Sequence, residues 1–227
     1  MSRTNSLAQR LSKLRMFRTQ ECDDLDTEIE PLLKDGYRLD MIMPADAPRV
    51  VQLSKKDQAV RLVLRSEPDQ KPPKGGTQNY QEAAEAGTQN GWIRGRAGMM
   101  YRDLITDRLG GTMAASHIRL AGGGPVPDYV HYHKVEFQMI RCIKGRILVV
   151  YEDQGEPFWL EPGDWVIQPP QIRHRVLECE AGSEVIEISM PAEHETWVDH
   201  DMTLPTSDYR PDRDFGGQRV VRHVSAR

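Results

Sequence analysis

His131-Tyr132-His133 is the stretch whose residue types and spacing bear most directly on chemistry. In an extended strand alternate side chains leave the same face, so both imidazoles aim the same way, about 6.5–7 Å apart along the backbone. Two rings at that separation can share one ion. A single buried histidine is more often a hydrogen-bonded core residue. Two at this spacing in an otherwise apolar strand are harder to explain by packing, because each buried ring needs a polar partner. On these two residues alone, metal ligation and core placement are both open.

The surrounding residues add to the case. The run from Gly124 to Gly145, GPVPDYVHYHKVEFQMIRCIKG, resembles the first motif of the cupin superfamily, with its H-x-H pair followed by a glutamate and a glycine. Residues 163–174, GDWVIQPPQIRH, resemble the second, with its proline, glycine and final histidine. The two stand in the right order at a plausible separation. The resemblance implies an RmlC-like jelly-roll barrel in which His131, His133 and His174 converge on one divalent metal ion, with Fe(II) preferred and Zn, Mn or Ni as alternatives. Two positions depart from the pattern. The glutamate falls on Gln138, since Glu136 comes one place too early, and the glycine falls on Gln171.

Gln138 is expected as a fourth ligand, or else as a contact to substrate or water beside a three-histidine site. Three neutral imidazoles and a neutral amide leave the ion its full charge of about +2, which strengthens it as a Lewis acid and favours an anionic substrate. Tyr129 shares the strand face of His131 and His133 and is the expected catalytic side chain, donating to a bound oxygen. Ile140 and Cys142 on the face of Gln138, and Val176 on that of His174, read as barrel filling, Cys142 as a small buried thiol. His117 and Arg119 read as an outward pair. His194, His200 and His223 show no ligand spacing and are expected on the surface.

The elements needed to position these residues are strands. Residues 37–44 and 59–65 alternate like strands, separated by a turn at Pro44 and Pro48. From residue 101 onward, strand candidates at 101–105, 113–120, 129–133, 138–143, 146–152, 157–160, 164–168, 174–179 and 184–190 follow one another with Gly, Pro and Asp between them. No helix intervenes. The fold class is therefore all-β, a cupin double-stranded β-helix with a helical arm and extra strands before it. The expected layout is a helical arm over 1–36, strands and a loop over 37–100, the barrel over 101–195, and a tail over 196–227 packed on the barrel, with a strand candidate at 218–224. Residues 66–91 are polar and rich in Pro and Gly, and are expected to form a mobile, protease-sensitive loop.

Composition excludes several function classes. The net charge of −4 gives no basic footprint for nucleic acid. No apolar run reaches the roughly 20 residues that span a bilayer. The three cysteines fit a reducing compartment, and a cytoplasmic protein is expected. The first 20 residues carry five Arg or Lys and no acid, and residues 21–30 carry six acids, a pairing that fits exchange across a homodimer. The expected function is that of a metal-dependent enzyme, an Fe(II) dioxygenase acting on a small anionic or enolisable molecule. A non-redox isomerase, lyase or cyclase is the first alternative, and a non-catalytic binding cupin the second.

Overall fold

The computed structural model describes residues 16–65, 91–105 and 107–226. Most of the expected basic arm, and residues 66–90 of the expected loop, lie outside the described residues. The chain enters through β1 (Met16–Cys22), α1 (Leu25–Lys34), β2 (Arg38–Met43), β3 (Val50–Lys55) and β4 (Gln58–Leu64). Residues 16–22, expected within the helical arm, are a strand parallel to β4, with Phe17 opposite Ala59. The open edge of β4 decides this, since pairing along the whole segment outweighs a weak local preference for helix. The helix starts only at Asp24, whose carboxylate accepts from Thr27 N–H at 2.8 Å as an N-cap. Its residues Leu25, Ile29 and Leu32 recur at helical spacing and pack on Cys22, Ile42, Val51, Leu53, Val60 and Leu62 as a small separate core.

After the second described stretch begins, the strands are β5 (Ile93–Arg94), β6 (Met100–Asp103), β7 (Ala114–Leu120), β8 (Gly124–Pro125), β9 (His131–His133), β10 (Phe137–Lys144), β11 (Ile147–Tyr151), β12 (Phe158–Leu160), β13 (Trp165–Ile167), β14 (His174–Cys179), β15 (Ser183–Met190), β16 (Thr196–Val198) and β17 (Val221–His223). They form two sheets. The first runs β1-β4-β3-β2-β16-β9-β14-β11-β12, with β8 also on β14. The second runs β17-β13-β10-β15-β7-β6-β5. Their inner faces meet in the main core, where Tyr101, Ile118, Cys142, Val166 and Val185 of the second sheet pack on Ile147, Val149, Tyr151, Leu160 and Cys179 of the first. The fold is all-β in the barrel, as the alternation implies. The first sheet continues past the barrel into the N-terminal strands through the three-residue β16, which pairs with β2 on one side and β9 on the other.

The tail is fastened at several points. Phe215 joins the main core, Arg213 donates to Glu152 and Asp153 at 2.8 and 2.6 Å, and β17 pairs with β13. Among the described residues no helix is long and apolar enough to cross a membrane.

Candidate metal centre

Register brings the three histidines together. His131 of β9 lies directly opposite His174 of β14. His133 sits two residues along on the same face, opposite Thr196 of β16. All three rings are buried, and their ligand atoms lie within 4.8 Å of one another. Ring centroids are 4.2 Å apart for His131 and His174, 5.0 Å for His131 and His133, and 5.1 Å for His133 and His174.

The hydrogen bonds fix which nitrogen each ring offers. His131 Nδ1 is 2.8 Å from Tyr129 O, and His174 Nδ1 is 3.0 Å from Ile172 O. A carbonyl only accepts, so Nδ1 carries the proton in both rings and Nε2 keeps its lone pair. His133 Nδ1 meets Thr196 Oγ1 at 2.8 Å, which leaves its Nε2 toward the cluster as well. The Nε2 of His131 is buried and has no hydrogen-bond partner. An orphaned lone pair beside two similarly held rings is the arrangement of metal ligands whose outer nitrogens are anchored by the protein. The donor set therefore fits a divalent ion, held by His131, His133 and His174. Protonation is also set for ligation. Burial holds the imidazoles of His131 and His133 well below their ordinary range, with the Arg96 charge adding to the effect, and burial brings His174 down to about 4.

A chain of polar side chains leads from the histidine sheet to the second sheet beside this cluster. Tyr151, opposite His174 in register and stacked on its ring at 5.5 Å, donates its hydroxyl to Gln168 Oε1 at 2.6 Å. Gln168 Nε2 donates to Gln138 Oε1 at 2.9 Å and lies 3.4 Å from His174 Nε2. Gln138 Nε2 donates to Glu187 Oε1 at 3.1 Å. Because Glu187 of β15 is the diagonal neighbour of Gln138 across the β10–β15 pair, the two side chains share a face. Gln138 is thus buried beside the histidines, with both ends of its amide engaged. Burial raises the Glu187 carboxyl, partly offset by the Gln138 hydrogen bond and the Arg96 charge.

Tyr129 is half-buried, edge-on to His131 at 6.2 Å, and touches the cluster through its carbonyl, which accepts the hydrogen bond from His131 Nδ1–H. A small cavity, part of it open to solvent, reaches the cluster at His133; Glu187 and Arg96 line it and Tyr129 does not. Ile140 and Val176 pack on the main core, and the Cys142 thiol is fully buried and pushed up to about 11, as expected of barrel filling. His194 is a correction. It is buried rather than on the surface, edge-on to His133 at 5.4 Å, with Nδ1 bonded to Pro191 O at 3.0 Å. The return of β16 beside β9 folds this part of the tail back over the site. His200 is half-buried, bonded to Leu39 O at 2.8 Å, while His223 is exposed and stacked on Trp165.

Residues 116–188 match the family model of the cupin domain. The chain carries a cupin domain. The match spans β7 to β15 and so contains all three histidines of the centre. No curated protein sequence matches the chain. Solved structures similar to it include an RmlC-like cupin from Shewanella frigidimarina, 25% identical over 42% of this chain and 78% of that one, with a TM-score of 0.35. KdgF from Halomonas sp. is 22% identical over 44% of this chain and 84% of that one, also at 0.35. An oxalate decarboxylase variant from B. subtilis is 18% identical over 41% of this chain, at 0.35. The chain spans 25% of the length of that oxalate decarboxylase.

Proposed function

We propose that this chain is a metal-dependent cupin enzyme that acts on a small anionic or enolisable molecule, with Fe(II)-dependent dioxygenation as the reaction. The observation that carries the metal is the orphaned Nε2 of His131 between two rings whose Nδ1 atoms are likewise anchored. Held by three neutral side chains, an Fe(II) ion would keep open positions and supply a Lewis acid and electrons for dioxygen chemistry. The protein's own groups bind and orient the substrate. Gln138 holds the Glu187 carboxylate by a 3.1 Å bond on the cavity wall, where its raised basicity suits it to take a proton from an acidic C–H or O–H.

That same carboxylate favours the second reading, an isomerase, lyase or cyclase in which proton transfer is the whole reaction and the ion only polarises a carbonyl. Metal content tests both readings, and oxygen dependence separates them. Metal analysis should find about one divalent ion per chain, lost in His131→Ala and His174→Ala; full metal in both variants sinks the proposal. Oxygen uptake with Fe(II) over a panel of catecholic, enolic and diketone compounds should be substrate-dependent. Turnover of the panel under argon, with Zn, Mn or Ni in place of iron, would establish the non-redox reading instead.

A further inference from the structure

The turn before β6 is built to hold one side chain, that of Arg96. A Cβ at Gly95 would lie 2.7 Å from Ala45 O and 2.7 Å from the Tyr101 ring, so only glycine fits there. Gly95 N–H donates to Met99 O at 2.9 Å, and Arg96 N–H donates to Ala45 O at 3.1 Å. The Arg96 side chain is 8% exposed, and its Nη1 donates to Asp128. Asp128 is fixed in turn by the N–H groups of Tyr129 and Val176, each at 2.9 Å. Asp128 does not engage every donor of the guanidinium. Arg96 Nε is buried and has no hydrogen-bond partner. An unmet buried donor is costly, and more so on a charged group. A fold that fixes the backbone on both sides of such a donor leaves its acceptor to come from elsewhere. Arg96 lines the cavity that also touches His133, together with Glu187, Tyr101, Ser116 and Ser189.

We propose that Arg96 anchors a carboxylate of the substrate. This deepens the metal-dependent reading above and rests on it; it narrows the substrate to small organic acids, as opposed to neutral sugars, alcohols or diketones. A guanidinium fork matches a carboxylate better than a point charge does, and a pair formed out of water is stronger than one on the surface. Asp128 restrains Arg96 without using all its donors. The hydroxyls of Ser116, Ser189 and Tyr101 on the same wall can serve the acid's remaining oxygens. The carboxylate end of the molecule is then held at Arg96, and the rest extends toward His133 and Glu187.

The test uses the full chain loaded with Co(II), whose visible band reports the metal site independently of turnover. Acetate, malonate and pyruvate are titrated by calorimetry, with pyruvamide as the neutral twin of pyruvate. At least one acid should bind, and pyruvate more tightly than pyruvamide. Arg96→Lys, which keeps the charge beside Asp128 but loses Nε–H, should weaken acid binding about tenfold or more while the Co(II) band and melting temperature stay as in the wild type. Binding of none of the acids, equal binding of acid and amide, or unchanged affinity in Arg96→Lys overturns the proposal. Failure of the wild type to take up Co(II) counts against the metal reading instead, and the titration is then run on the metal-free chain with the same criteria for Arg96. Should Arg96→Lys not fold, Glu187→Gln carries the test. Removing the carboxylate that shares the cavity should tighten pyruvate severalfold and leave pyruvamide unchanged, and no change overturns the anchor.

Discussion

Gln138 shows what one residue change does to a candidate metal centre and to its neighbours. Where the first cupin motif has a glutamate, this chain has an amide that donates to Glu187 and accepts from Gln168. In Gln138→Glu the donor facing Glu187 is lost and two carboxylates meet at about that contact distance, so the metal-free protein should lose about 1–3 kcal/mol. The metal-loaded variant should recover much of this, because the new charge lies toward the ion, and chelator competition should show tighter binding. Melting curves with and without metal check both halves; equal curves in the metal-free state would mean that the Gln138–Glu187 bond is not made. The three histidines were legible in the sequence because two share a strand and the third closes a recognisable turn. Glu187 was less so, although its parity gave a signal, an acid on the same strand face as buried Val185 and Ser189. Arg96 gave none, since its role comes from a turn whose partners, Ala45 and Asp128, lie far away in sequence.

At the level of elements, the connection between β10 and β11 carries the chain from the amide strand in the second sheet to the strand that pairs with His174's strand in the first. Gly145 adopts φ +62°, and a Cβ there would lie 2.4 Å from Ser183 Oγ and 3.0 Å from Ser183 Cα. Ser183 cannot swing away freely, because its hydroxyl bonds Glu180 O at 2.7 Å and the backbone of Arg146. Gly145→Ala should therefore cost the left-handed backbone penalty of about 1–2 kcal/mol plus displacement of the neighbouring turn, about 2–4 kcal/mol in all. Urea unfolding should show the midpoint falling by that free energy divided by the m-value, about 1–2 M for an m of about 2 kcal/mol/M, with metal stoichiometry unchanged in the folded protein. A midpoint equal to wild type would mean that the turn relaxes without strain. Gln171, where the second motif has glycine, takes φ +60° itself, so this turn accepts the backbone conformation with a side chain present. The strands from β9 to β15 were legible because apolar alternation and turn residues bound each of them. By contrast, β1, β3 and β16 were not. Pairing of β1 is with a distant edge, β3 is buried on four of its six residues and lacks clean alternation, and β16 is only three residues long.

On the scale of the whole molecule, the tail packs on the barrel from outside, next to the three-histidine cluster. Leu204 packs with Val130 and Val150, one residue from His131 and from Tyr151 respectively. Further along, Phe215 enters the main core, while Arg213 and Arg210 cover the buried carboxylates of Glu152 and Asp153. Deleting residues 202–227 removes Leu204 and Phe215, each contributing about 1.5–3 kcal/mol by burial, so about 3–6 kcal/mol is lost before any electrostatic cost. It also leaves two buried acids without their cations, a change that is costly on its own. Set against a usual total of about 5–15 kcal/mol, the loss is enough to unfold the barrel or leave it loosely packed. A shorter deletion separates this from simple strand loss. Removing residues 221–227 takes away β17, whose three residues are all exposed, and leaves Leu204, Arg213 and Phe215 in place. The short deletion should melt within a few degrees of the full chain and keep its metal. The long deletion should lose near-ultraviolet circular dichroism, bind a hydrophobic dye and fail to hold one ion per chain. If the long deletion melts with the full chain and retains its metal, the tail is an ornament on a self-sufficient barrel.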